Sequence, residues 1–184
     1  MDTILKNKNE LRKYALEKRK ASRVSGVTEI NSKRIVSAIL NSKEFKKSNN
    51  IALYYPIKGE IDITGLLNVK NKNFYLPVCK DNELEFLKYE NKLVSGKYNI
   101  PEPTGEKINP ELLDIIYIPA LMANGNCYRL GYGKGYYDRF FASHKIKALK
   151  IIVVANELIS NNFIQDSNDY KCDMILSEKS LIFA

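Results

Sequence analysis

Apolar residues recur at helical spacing over residues 8–21, where Leu11, Tyr14, Ala15 and Lys18 fall on one side of a 3.6-residue period. The spacing predicts an amphipathic helix there. A second helix is predicted from Thr28, a residue suited to an N-cap, with Ile35, Ile39 and Leu40 on its apolar side. The pattern then changes. Residues 51–55 form a short apolar run closed by Pro56, which reads as a strand, and Asp62 can cap a short helix through Leu66 and Leu67. Residues 74–78 and 84–89 read as two strands joined at Lys80, Asp81 and Asn82. Residues 114–119 and 149–154 are continuous apolar runs, as expected of strands covered on both faces. A helical segment starting at Gly135 lies between them. A strand, turn, helix, strand unit implies parallel strands with a right-handed crossover. The proline-rich stretch 96–110 reads as a long surface loop. The expected fold class is therefore α/β, a three-layer α/β/α arrangement around a mostly parallel central sheet, in a single domain.

Composition narrows the function classes. A chain of 184 residues with 45% hydrophobic and 27% charged residues has the balance of one folded globular domain. No apolar run approaches the ~18 residues of a membrane span. Residues 1–6 lack the apolar block of a secretory signal, so a cytoplasmic protein without membrane contact is expected. Cys79, Cys127 and Cys172 are far apart and form no Cys-x-x-Cys pair, which reads as three reduced thiols. The single His144 is accompanied by no nucleophile motif.

The net charge of +8 suits an anionic partner, and its distribution is more telling than its size. Lysines are scattered, whereas of six arginines four lie in the first 34 residues and the other two, Arg129 and Arg139, bracket a glycine-rich turn. That turn runs through Arg129, Leu130, Gly131, Tyr132, Gly133, Lys134, Gly135, Tyr136, Tyr137 and Asp138. Three alternate glycines let backbone amides approach an anion, and the following helix directs its positive end to the same place. Arg129 and Lys134 can supply full charges, and Asp138 can hold a magnesium ion together with substrate phosphates. The spacing is neither Gly-x-Gly-x-x-Gly nor Gly-x-x-x-x-Gly-Lys-Ser/Thr. Taken alone, the glycines fit a tight corner as well as a phosphate cradle; the flanking charges favour the cradle.

Residues 114–140, a hydrophobic strand ending in Pro119 followed by Arg-Leu-Gly-x-Gly-x-Gly-Tyr-Tyr-Asp, closely resemble the signature of the 5-formyltetrahydrofolate cyclo-ligases. The likeness extends to Lys8 through Arg12 as Lys-x-x-Leu-Arg, to the segment from Tyr55 to Glu60, to the short strand holding Phe86, and to Tyr98-Asn-Ile-Pro-Glu-Pro, where Asn99 replaces a glycine. Asparagine tolerates left-handed backbone well enough for that turn to survive. The resemblance implies conversion of 5-formyltetrahydrofolate, with ATP as co-substrate and Mg2+, to 5,10-methenyltetrahydrofolate. It also implies roles for particular residues. Lys8, Arg12 and Arg129 through Tyr137 would hold ATP, Arg129 and Lys134 carrying the catalytic charge. Tyr55, Glu60 and Phe86 would contact the folate. Asp138 and Asp173 would bind the metal, Asp173 being preferred to Asp169 because Met-Ile-Leu-Ser-Glu follows it. Read from the residues alone, Lys8 and Arg12 are equally solvated positions on a helix, and Glu60 an exposed loop carboxylate. Glu157 and Asn168 stand where many of the family carry glutamine and histidine. The positive charge would suit a polyglutamate tail on the folate. A nucleic-acid-binding module and a general nucleotide-dependent kinase are the rival classes; no RNA-binding signature supports the first.

Overall fold

The computed structural model describes residues 7–161, 163 and 165–184; the leader-free reading of residues 1–6 lies outside the described residues. In chain order the helices are α1 (Lys8–Val24), α2 (Val27–Asn41), α3 (Lys43–Lys47) and α4 (Tyr136–Ser143). The strands are β1 (Asn50–Ala52), β2 (Asn73–Lys80), β3 (Glu83–Lys88), β4 (Leu93–Ser95), β5 (Pro101–Pro103), β6 (Ile115–Pro119), β7 (Met122–Ala123), β8 (Arg129–Leu130), β9 (Leu149–Val153), β10 (Met174–Leu176) and β11 (Leu181–Phe183). Seven of them form one sheet in the order β11-β10-β9-β6-β1-β2-β3. The five inner strands are parallel, and each edge strand, β3 and β11, is antiparallel to its neighbour. The expected parallel pairing of the 114–119 and 149–154 segments is present as β6 beside β9, with α4 between them in sequence.

Because successive strand residues face opposite ways, the apolar runs feed two cores. Ala52, Ile116, Ile118, Ile152 and Ile175 meet Leu11 and Ala15 of α1 and Phe140 and Phe141 of α4. Ile51, Ile115, Tyr117, Ile151 and Val153 meet Ile35 and Ile39 of α2 and Phe45 of α3. This is the expected three-layer arrangement. Each fully buried aliphatic side chain contributes roughly 1.5–3 kcal/mol, so continuous runs in β6 and β9 are strong determinants of the central position of those strands.

Local details depart from expectation where short-range signals compete. The buried face of α1 is Leu11, Ala15 and Arg19; Tyr14 and Lys18 are exposed, with the lysine ammonium over the tyrosine ring. Helix α2 starts one residue before Thr28 and its N-cap is Gly26, whose φ of 76° turns the chain tightly out of α1. Helix α3 was not anticipated; Ser42 caps it by accepting from the Phe45 amide. Asp62 is not the cap of the short helix, which is 3₁₀ (Thr64–Asn68) with Ile63 at the N-cap; one residue earlier, its Oδ1 accepts from the Thr64 amide and hydroxyl. The β2–β3 hairpin turns through Asp81 and Asn82, both at positive φ. Stretch 96–110 is more ordered than a free loop. It contains β5, a 3₁₀ turn and a bridge from Lys107 to Leu87, and Asn99 takes the left-handed conformation (φ 58°) in place of glycine.

Candidate active site

The sheet order places a topological switch at β1: the chain passes from β1 to β2 on one side and later to β6 on the other. Ligand sites of open α/β sheets lie in the crevice beyond the carboxyl ends of strands at such a point. Here two segments leave that edge, residues 53–60 after β1 and residues 120–135 after β6, the latter folding back as the small β7–β8 hairpin.

Helix α1 crosses the same edge and presents Lys8, Arg12 and Arg19 along roughly 16 Å of its length. Arg19, 5% exposed, is the junction. Its Nη1 donates to the Tyr132 hydroxyl at 3.0 Å and lies 3.5 Å from Glu60 Oε1, and its Nη2 donates to the Ala120 carbonyl. Glu60 is buried, and its Oε2 accepts from the Ile57 amide at 3.0 Å. Burial pushes the Glu60 carboxyl above the usual carboxylate range, with Arg19, the Ile57 amide and the Tyr132 hydroxyl pulling the other way. The glycine turn and the 53–60 segment are therefore joined through Tyr132, Arg19 and Glu60. Arg19 was missed as a site residue in the sequence. Its signal was there, since it continues the Leu11, Ala15 face at i+4, a place where an arginine needs a buried partner.

Each glycine of the turn faces an arginine. A Cβ on Gly131 would lie 2.7 Å from Arg129 Nη1, one on Gly133 3.2 Å from Arg12 Cζ, and one on Gly135 2.9 Å from Arg139 Nη1. Gly133 and Gly135 also take positive φ, 91° and 66°. The glycines thus admit guanidinium groups against the backbone. Arg12 donates from Nε to the Gly131 carbonyl at 2.9 Å, and Arg139 from Nη1 to the Lys134 carbonyl at 2.7 Å. Arg129 is buried, stacks 5.0 Å from the Tyr137 ring centroid and donates from Nη2 to Asp138 Oδ2 at 2.9 Å. Leu130 is buried in β8, while the Lys134 side chain is exposed. Tyr136 packs under the Arg139 guanidinium, and its hydroxyl is 3.2 Å from that of Tyr98.

Other expected residues are placed as follows. Lys8 donates to Asp166 Oδ2 at 2.7 Å and Asp169 Oδ2 at 2.5 Å. Burial works against its charge, but the two carboxylates prevail and its pKa is raised. Tyr55 is half-buried at the end of the β1 extension. Phe86 is fully buried, packed edge-on to Phe140 and tilted against Tyr137. Asp173 immediately precedes β10, and its Oδ2 accepts from the Lys150 amide at 2.8 Å and pairs with the Lys150 ammonium at 3.0 Å. Burial lifts the Cys172 thiol to about 12, with Arg129 opposing the shift and the charges of Asp173 and Asp138 adding to it. Among the described residues no three His, Cys, Asp or Glu side chains converge to make a metal cage. Asp138 and Asp173 are each ion-paired, with Arg129 and Lys150, and each is a carboxylate of the kind magnesium takes alongside substrate phosphates.

The 5-formyltetrahydrofolate cyclo-ligase family model matches residues 4–178. A 5-formyltetrahydrofolate cyclo-ligase of Mycoplasma genitalium is 31% identical, the match covering 92% of this chain and 97% of that protein. The solved 5,10-methenyltetrahydrofolate synthetase of Aquifex aeolicus superposes with a TM-score of 0.83 at 36% identity, over 96% of this chain and 92% of its own. That of Mycoplasma pneumoniae gives 0.75 at 27% identity, over 94% and 99%. With the match running from the first helix to the last parallel strand, and the overall fold shared with the solved relatives, this chain belongs to the 5-formyltetrahydrofolate cyclo-ligase family.

Proposed function

We propose that this chain closes 5-formyltetrahydrofolate to 5,10-methenyltetrahydrofolate at the expense of ATP. The observation that carries this reading is the meeting of the glycine turn with the buried Glu60 through Arg19 and Tyr132. It joins a cationic turn suited to phosphate to a carboxylate suited to the donor-rich edge of a pterin. Family membership supplies the reaction class.

The reaction needs positioning and charge compensation more than a nucleophile on the protein. The formyl oxygen attacks the γ-phosphorus, and the bond to the β,γ-bridging oxygen breaks with its electron pair leaving on ADP. N10 then attacks the activated formyl carbon. The carbon–oxygen bond breaks towards phosphate, which also carries away the N10 proton. Arg12 and Lys134 face the turn with charge to offer the triphosphate, and Lys8 can join them by exchanging its carboxylate partners for phosphate oxygens. Buried Arg129 holds Asp138 in place. Tyr55 and Glu60 orient the folate, with Phe86 as the floor beneath Tyr137. Asp138, with Asp173 as the second carboxylate, would hold magnesium, which when bound would neutralise phosphate charge.

The test is the near-ultraviolet absorbance of the methenyl product. Purified protein with ATP, magnesium and 5-formyltetrahydrofolate is expected to generate it, and omission of ATP to abolish it. Asp138→Asn should lower turnover and raise the magnesium requirement with folate affinity little changed. A protein that forms no product under these conditions, or does so equally without ATP, overturns the reading.

A further inference from the structure

The hydroxyl of Tyr137 is the one buried side-chain polar atom among the described residues that has no hydrogen-bond partner. Everything else about this side chain is held firmly. Arg129 stacks on its ring at 5.0 Å, Phe86 packs at 6.5 Å and Phe141 at 6.2 Å between centroids. The hydroxyl lies within electrostatic reach of Arg129, Glu60 and Cys79, and the Tyr54 hydroxyl in turn senses it. Phenylalanine would fill the same place without an unmatched donor, and buried polar groups are otherwise almost always paired. A donor left unmatched in a rigid setting, on a ring stacked against the arginine that opens the phosphate turn, is explained by a partner that arrives with the substrates.

We infer that the Tyr137 hydroxyl is a catalytic donor, giving a hydrogen bond to a non-bridging oxygen of the phosphoryl group while it passes from ATP to the formyl oxygen. This rests on the reaction proposed above and deepens it. A neutral phenol fixed in a site of low polarity stabilises charge on the transferring group without reorganising, and this one lies in the first turn of α4, directly after the glycine turn, with its ring against Arg129. It takes no part in bond making; the hydroxyl keeps its proton throughout.

Tyr137→Phe tests this, with turnover, the affinities for a non-hydrolysable ATP analogue and for 5-formyltetrahydrofolate, and thermal midpoint measured on the same preparations. The expected result is a fall in kcat of roughly a hundredfold, with both affinities within about twofold and a midpoint equal to or above that of the unsubstituted protein, because an unmatched donor has been removed. Turnover within twofold of the unsubstituted protein overturns the inference. So does a lower kcat accompanied by a clear drop in midpoint, which would show a hydroxyl that serves the fold, for instance through a water bridge. Tyr137→Leu is a second variant: it loses the ring as well, and is expected to lower the midpoint, thereby separating packing from the hydroxyl. If the unsubstituted protein makes no methenyl product, the reaction itself is misassigned and the inference falls with it; normal activity with an indifferent Tyr137→Phe sinks the inference alone.

Discussion

At the scale of single residues, burial changes what Glu60 and Gly133 mean. A carboxylate read as an exposed loop residue is enclosed by Arg19, the Ile57 amide and Tyr132, and its pKa stands above the ordinary 4.5 because burial disfavours its charge. Only the ionised form offers full acceptor strength to pterin donors. Folate affinity is therefore expected to decline as pH falls through this raised pKa, at a higher pH than an ordinary glutamate would give. Glu60→Gln should lower affinity roughly tenfold or more at neutral pH and flatten that dependence; calorimetry across pH checks both. For stability the sign is opposite. A carboxyl with raised folded-state pKa contributes stability below the unfolded value, and that contribution is lost as pH rises through the folded one. At Gly133, φ of 91° and an arginine carbon 3.2 Å from any Cβ act together. Gly133→Val should cost about 1–3 kcal/mol in stability and displace Arg12, with nucleotide affinity falling far more than folate affinity. Chemical denaturation and nucleotide titration separate the two effects, and normal ATP binding by a folded Gly133→Val protein would remove the phosphate site from this turn.

At the scale of elements, α1 behaves as a cationic rail whose first charge is already engaged. Lys8 is held by Asp169, which is largely buried, and by the more exposed Asp166. The next residue, Tyr170, donates its amide to Asp138 Oδ1 at 3.4 Å and stacks on Phe141. The segment from Asp166 to Tyr170 thus sits on one group proposed for nucleotide and one proposed for metal. Nucleotide that recruits Lys8 must compete with these carboxylates. Asp169→Asn keeps an acceptor for the Asp166 amide but weakens the hold on Lys8, so the KM for ATP is expected to fall several-fold, in keeping with a partly exposed ion pair of about 1 kcal/mol. An unchanged or raised KM for ATP with normal stability would show that Lys8 stays on this segment throughout turnover. The β4–β5 unit has a comparable place at the other side of the turn, where Tyr98, itself at positive φ, meets Tyr136.

At the scale of the whole molecule, a net charge of +8 would act on the two anionic substrates proposed for this chain before any contact forms. The kcat/KM for both is expected to fall several-fold as ionic strength rises from about 0.02 to 0.3 M, over which the Debye length shrinks towards 6 Å, while kcat stays nearly constant. A triglutamate form of the folate should show the steeper dependence. A salt-insensitive kcat/KM would confine the useful charge to the site itself. Among the described residues, no helix is long and apolar enough to cross a membrane.

The two apolar runs that became β6 and β9, the hairpin at Asp81 and Asn82, and the helix opening at the glycine turn were legible in the chain, because periodicity, turn chemistry and helix signals depend on residues close in sequence. The family signature was legible for the same reason. The start of α2 and the one-turn α3 were obscured by competing local caps, and Tyr14 and Lys18 were drawn into an apolar stripe that belongs to Leu11, Ala15 and Arg19. What no local pattern could decide is which distant groups would share a dielectric. Lys8 found Asp169 across 161 positions, Tyr132 found Arg19 across 113, and Tyr137 was left with a hydroxyl that none of the described residues answers. Those outcomes depend on the order of strands about β1, and strand order is set by the packing of both cores at once, a property of the assembled sheet and not of any segment within it.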